Sequence, residues 1–186
     1  MPHDGRVTLP SFPRLESLPV LDHPDLVAPP VAAVLASWPA ADRAAVVRID
    51  PDLADTAAMT AAYDLPLTAS GNCVVVSGRR GGEERTAACV VRADTRADVN
   101  NLVKRRLDVR KASFLATDQA VQSTGMEYGG ITPFGLPDGW RLLVDGRVPD
   151  IELAVVGSGV RRSKLLLPGR LLAELPGAEV TDDLGA

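Results

Sequence analysis

Gly125-Met-Glu-Tyr-Gly-Gly-Ile-Thr-Pro-Phe-Gly135 is the stretch from which the rest of the chain can be read. A Gly-Gly pair, a proline four residues after its first glycine and a closing glycine do not fit a helix interior or a central strand. Glycine permits positive φ and lets other groups approach the main chain, whereas proline fixes φ and removes a donor. The stretch therefore reads as a shaped loop with outward-facing amides, or as an ordinary tight turn. A functional loop needs a rigid frame behind it, and the flanking sequence supplies the elements of one.

Upstream, Thr117 can cap a helix that runs to Ser123 and stops at Gly125, where left-handed geometry suits glycine. Val99, Leu102, Val103 and Leu107 repeat at helical spacing behind the capping pattern Thr95-Arg-Ala-Asp98. Cys73-Val-Val-Val76 has the continuous apolar, β-branched character of a buried strand. Arg79-Arg80-Gly81-Gly82 is turn chemistry, so Arg85–Arg92 is expected to return as the partner strand. Earlier still, Val31–Trp38 predicts a short helix, Ala45–Ile49 a strand, and Asp52–Tyr63 a helix with Asp52 and Asp55 in its first turn. Downstream, Trp140–Asp145, Glu152–Val156 and Lys164–Leu167 predict strands. Pro168–Leu175 then predicts a helix and Ala178–Thr181 an edge strand.

Strands outnumber helices and short turns join several of them, which excludes a regular βαβ array. The expected fold is α+β: a mixed, largely antiparallel sheet curved into a partly closed barrel, with helices packed outside. Residues 1–30 hold Pro2, Pro10, Pro13, Pro19, Pro24, Pro29 and Pro30 and read as a proline-rich arm, with Leu18, Val20, Leu21 and Leu26 available to pin it down. Residues 31–186 read as a single domain without internal repeats.

The chain of 186 residues is long enough to bury roughly 70% of its unfolded surface. Aromatic residues make up only 4%, so Ala, Val and Leu must fill the core. The net charge of −4 argues against a general nucleic-acid binder. Basic residues nevertheless gather at Arg79, Arg80, Lys104, Arg105, Arg106, Arg110 and Lys111, as phosphate contacts or as a solvated face. His3 and Asp4 stand where a secretion signal would be basic, and no run approaches the roughly 20 apolar residues of a membrane span. The cytoplasm is the expected compartment. Cys73 and Cys89 alone exclude a four-cysteine metal site. As partners across a hairpin they would be a reduced pair of core thiols, expected to lie opposite each other.

Gly129-Gly130-Ile131-Thr132-Pro133-Phe134-Gly135 resembles the Gly-x-x-x-Pro loop of the YbaK/EbsC-type aminoacyl-tRNA editing family, which includes the editing domain inserted in bacterial prolyl-tRNA synthetases. The resemblance runs from about Leu65 to about Thr181. It takes in Cys73–Ser77, Val99–Leu107, Arg110-Lys111-Ala112-Ser113-Phe114, Ser123-Thr124-Gly125, Leu143-Val144-Asp145 and Gly157-Ser158-Gly159. It implies a trans-acting deacylase that hydrolyses the ester of a mischarged tRNA, with the acceptor end of that tRNA as partner and no cofactor. One position departs from the family, which usually carries a substrate-anchoring lysine where this chain has Asn72; Lys104, Lys111 or Lys164 could supply the charge from elsewhere, but the sequence places none of them.

Elimination among the residues points the same way. The only histidines, His3 and His23, lie in the arm, which excludes a Ser–His or Cys–His pair within the folded unit and leaves a zinc-bound water without ligands. No phosphate-binding glycine loop with its lysine is present. Chemistry must come from backbone donors, hydroxyls, carboxylates or the substrate. Amides at Gly129 and Gly130 could stabilise an oxyanion, with Asn72 as the third catalytic candidate. Thr132, Pro133, Gly135, Asp145, Gly157, Ser158 and Gly159 are the candidate substrate-binding residues. Asp145 could orient an amine or end a strand, and Thr132 could donate its hydroxyl or brace the loop. Tyr63 and Tyr128 read as packing or rim residues, Trp38 and Trp140 as core. Because asparagine lacks the charge that roughly doubles a hydrogen bond's strength, the alternative is a catalytically weak or inactive module that binds an aminoacyl or nucleotide-like ligand. A cysteine hydrolase built on Cys73 would lack an activating histidine.

Overall fold

The computed structural model describes residues 9–186; Pro2, His3 and Asp4 lie outside them. Among the described residues nine strands run in chain order: β1 Ser17–Pro19, β2 Ala45–Arg48, β3 Gly71–Arg80, β4 Glu83–Arg92, β5 Ala112–Phe114, β6 Arg141–Asp145, β7 Ala154–Gly157, β8 Ser163–Leu167 and β9 Ala178–Thr181. Five of their seven pairings are antiparallel, and β6 pairs in parallel with both β4 and β9. The fold is thus mixed α+β with a largely antiparallel strand pattern.

The strands do not form one sheet bending toward closure. They divide into two open sheets, ordered β1-β2-β8-β7 and β5-β3-β4-β6-β9. Among the described residues a single parallel bridge, Ser70 to Val155, joins them. The reason lies on the outer edge of β3. Its second half pairs with β5 through Val76, Ser77 and Gly78, and on the nearer side only Ser70, just ahead of the strand, bridges to β7. The cleft described below opens where the two sheets diverge.

Side chains alternate across each sheet as a period of two requires. In the four-stranded sheet Val46, Val156, Leu165 and Leu167 face one apolar cluster, while Ala45, Val47, Val155 and Leu166 face another. In the five-stranded sheet Val76, Ala87, Cys89 and Val91 pack under Leu102, Val103 and Leu107. The register pairs Cys73 with Val90 and Cys89 with Val74. The two thiols are therefore offset by one residue and point to opposite faces, not toward each other as expected. Burial pushes the Cys89 thiol up to about 12, and burial together with Cys89 pushes Cys73 up as well.

Helices arise where local chemistry allows them. Helix α1, Pro29–Ser37, starts on two prolines, whose missing N–H groups cost nothing in a first turn. Its Val31 and Leu35 enter the core beside Val20, Leu26 and Val27, and β1 pairs with β2, so the segment from Leu9 onward lies against the fold. The expected helix Asp52–Tyr63 is split. Pro51–Leu53 forms a 3-10 turn and α2, Thr56–Tyr63, begins only after Asp55 accepts hydrogen bonds from the Ala57 and Ala58 amides. A π turn, Val99–Val103, capped by Asp98 at the Asn101 amide, runs into α3, Lys104–Leu107. Helix α4, Thr117–Thr124, has Ala116 at its N-cap rather than Thr117, and α5 is confined to Arg170–Ala173.

Candidate functional site

Helix α4 ends at Gly125 in left-handed geometry, and the following loop is fixed at both ends by the buried Met126 and Phe134. Between them it lies main chain to main chain on the segment after β7. The Glu127 amide donates to the Gly159 carbonyl at 2.8 Å, and the Gly159 amide donates to the Gly130 carbonyl at 2.7 Å. Only glycine permits this approach. A Cβ on Gly157 would sit 2.4 Å from the Gly130 oxygen and 2.5 Å from the Ile131 oxygen. Arg161 fastens the tip of the loop: its Nη1 donates to the Tyr128 carbonyl at 3.1 Å and its Nη2 to the Pro51 carbonyl at 2.8 Å. Its own amide donates to Glu127 Oε2 at 2.6 Å.

In front of this loop is a cleft of about 310 Å³, walled by the start of α2, the start of β3, the loop itself and β7. Gly129 lines it with an exposed backbone at φ +80°, and its amide makes no hydrogen bond among the described residues. The Gly130 amide does not share that freedom, because it donates to the Glu127 carbonyl at 2.9 Å. Asn72 lines the same cleft. Its Oδ1 accepts from Thr56 Oγ1 at 2.8 Å, which leaves its amide nitrogen as a donor. Gly157 also lines it, so Asn72, Gly129 and Gly157 are brought together.

The residue that sequence reasoning did not place is Lys164. It sits on β8, is only 6% exposed and lines the cleft. Its Nζ donates to the Gly129 carbonyl at 3.1 Å and to the Ala54 carbonyl at 3.1 Å. No carboxylate forms an ion pair with it among the described residues. Burial lowers its pKa from 10.5 to about 8; the charge of Arg161 adds to that shift and Asp55 opposes it. The available signal was a lysine at the head of an otherwise apolar strand.

The remaining candidates lie elsewhere. Thr132 and Pro133 are buried and do not line the cleft, and the Thr132 hydroxyl has no partner among the described residues. Gly135 packs on the Pro30 main chain and Gly159 on Ala28. Ser158 is buried and donates to the Ser163 carbonyl at 2.9 Å. Asp145 is fully buried and occupied away from the cleft, accepting from Arg147 Nε at 2.8 Å and from the Gly185 amide at 2.6 Å. Burial by itself would raise its pKa, but these hydrogen bonds and the Arg147 charge hold it below the usual range. Asp145 thus ties β6 to the C-terminal segment.

Two further features belong to the cleft. Ser70 Oγ, on its wall, is buried without a partner among the described residues. Phe114 and Tyr128, 61% and 65% exposed, both border it. Trp38 meets Phe134 edge to face at 5.2 Å, and the Tyr63 hydroxyl accepts from the Asp50 amide at 2.9 Å, whereas Trp140, expected in the core, is only half-buried and joins none of the apolar clusters. Among the described residues no three His, Cys, Asp or Glu side chains gather into a group that could hold a metal ion, and no helix is long and apolar enough to cross a membrane.

The family model described as an aminoacyl-tRNA editing domain matches residues 50–175. Solved structures share the fold at low sequence identity. A candidate trans-editing enzyme for prolyl tRNA synthetase aligns with TM-score 0.70 and 18% identity, over 82% of this chain and 93% of its own. A hypothetical protein aligns with TM-score 0.67 and 21% identity, over 76% and 90%. A scaffold protein carrying a grafted linear epitope aligns with TM-score 0.70 and 18% identity, over 83% and 95%.

Proposed function

The chain belongs to the family of aminoacyl-tRNA editing domains, and we propose that it acts in trans, in the cytoplasm, to hydrolyse the ester linking a wrongly attached amino acid to tRNA. The observation that carries this reading is the exposed Gly129 amide, unpaired at the lip of the cleft beside Asn72. The ester carbonyl oxygen is received there. Water adds to the carbonyl carbon, the π pair moves onto oxygen, and the amide N–H stabilises the charge as it develops. Collapse of the tetrahedral intermediate breaks the bond to the ribose oxygen. That oxygen takes up the proton lost by water, relayed through the neighbouring ribose hydroxyl, and the amino acid departs as its carboxylate with release of a proton.

The exposed rings of Phe114 and Tyr128 suit the terminal bases of the acceptor strand, since stacking on an aromatic side chain contributes about 1–3 kcal/mol per base. Incubation with a panel of mischarged tRNAs tests the function. We expect release of at least one amino acid above the spontaneous rate. Gly129→Ala, which forces a side chain into φ +80° and to 2.9 Å from Arg161 Nη1, should displace that amide and reduce release by about 10²–10³-fold, at a cost of about 2–4 °C in melting temperature. Saturable binding of the same tRNAs with no release from any of them would point instead to a module that binds without catalysis.

A further inference from the structure

We propose that Lys164 is the substrate-contacting cation of this cleft, its ammonium donating from β8 to the carbonyl oxygen of the aminoacyl ester. The assignment rests on the deacylase reading and adds to it a charged donor that backbone amides do not provide.

Three observations carry it. First, the ammonium is buried with no carboxylate paired to it among the described residues. A buried charge is costly unless it is compensated, and an apolar residue of similar volume often serves stability better. Second, an ammonium has three protons to donate. Two go to the carbonyls of Ala54 and Gly129, and the third has no partner among the described residues on a side chain that lines the cleft. Third, the contact with the Gly129 carbonyl ties the cation to the residue whose amide is unpaired, and both residues line the same cleft. The neighbouring cation, Arg161, also lines the cleft, but its two terminal nitrogens already hold the Tyr128 and Pro51 carbonyls and fasten the loop.

The chemistry follows the hydrolysis above. As water adds and negative charge gathers on the former carbonyl oxygen, the Lys164 N–H hydrogen bond becomes charge-assisted on both sides and strengthens. The proton stays on nitrogen throughout. When the carbonyl re-forms and the ribose oxygen leaves, the bond relaxes to its ground-state strength. The lysine therefore acts in the protonated form, with Arg161 and Asp55 as the charges that face it.

The test compares wild type with Lys164→Met, Lys164→Arg and the double variant Asn72→Lys/Lys164→Met on the mischarged tRNA that the wild type deacylates best. Expected are a fall in kcat of about 10²-fold or more in Lys164→Met at a melting temperature no lower than that of the wild type, and higher below pH 8 where the buried charge is removed, substantial retention in Lys164→Arg, and partial recovery in the double variant. The double variant returns an ammonium to the same cleft from the Asn72 position. After subtraction of spontaneous hydrolysis, wild-type turnover should fall as pH rises through about 8, and Lys164→Met should lack that fall. Turnover in Lys164→Met within twofold of wild type would overturn the assignment. So would a loss accompanied by a lowered melting temperature and not restored in either lysine- or arginine-bearing variant, which would make the residue a brace for the loop. If the wild type releases nothing, the deacylase reading fails on its own, and binding of a non-hydrolysable amide-linked aminoacyl-tRNA decides. Weaker binding by Lys164→Met supports the contact; equal affinity ends it.

Discussion

Lys164 holds a positive charge where the surrounding fold makes that charge expensive. Its folded-state pKa of about 8 lies below the ordinary 10.5, so between those values the unfolded chain keeps a proton that the folded chain has released. Stability must then rise with pH across that window, and the penalty is present in full below about 8. A group displaced that far weighs about 3 kcal/mol. The expected result is a urea midpoint that climbs between pH 7.5 and 10 in the wild type relative to Lys164→Met; parallel curves for the two proteins would refute it. The same residue shows what could be read from the chain alone. That Gly129 belongs to a shaped loop could be read because a Gly-Gly pair before a proline restricts what the backbone can be, whereas Asn72 was singled out only through the resemblance, as the residue standing where the family has lysine. Lys164 heads an apolar strand, but whether its side chain meets solvent or a cleft depends on segments as far as 110 positions away, and no local pattern carries that information. For Asp145 the ambiguity between ligand and strand end was a real one. The partners found for it, Arg147 and the Gly185 amide, are structural.

At the scale of elements, strands marked by turn chemistry or by continuous apolar runs were legible nearly to the residue, as with Ala178–Thr181. Helix starts were less so. Asp52 and Asp55 were both read as the acidic first turn of one helix, yet Asp55 is the cap, and its side chain holds the Ala57 and Ala58 amides while the chain before it turns separately. Propensity does not distinguish a first-turn acid from a capping one; the backbone conformation does. Asp55→Ala should therefore cost about 1 kcal/mol of stability, measurable as a shift in denaturant midpoint at constant slope. The consequence extends to the cleft, because Ala54, the residue just before the cap, supplies one of the two carbonyls that hold Lys164. Turnover should fall along with stability in this variant. A loss of stability at unchanged turnover would show that the cap and the site are mechanically separate. The division into two sheets was illegible for a related reason: it turns on which edge of β3 the short strand β5 occupies, a choice made by tertiary pairing.

The whole molecule carries a net charge of −4, yet the proposed partner is a polyanion, so the distribution of charge has to do what the total does not. Around the β3–β4 turn Arg80 and Arg85 share Asp108 at 2.6 and 3.1 Å and are largely neutralised. Arg79, Arg110 and Lys111 are exposed and make no ion pair among the described residues. Arg110 and Lys111 lead directly into β5, whose last residue, Phe114, borders the cleft. A strand of phosphates approaching the cleft past this segment would meet two uncompensated cations just before its terminal base reached the aromatic rim. Each phosphate contact contributes about 0.7 to 0.9 to the slope of log affinity against log salt concentration. Replacing Arg110 and Lys111 by glutamine should therefore flatten that slope for tRNA by about 1.5, and should weaken binding at low salt far more than at high salt. Arg14, already beside Asp64 at 3.8 Å, is the control whose replacement should leave the slope unchanged. Equal slopes for the double variant and the wild type would mean that the acceptor strand reaches the cleft from another side, and the aromatic rim would then have to be approached without this basic segment as its guide.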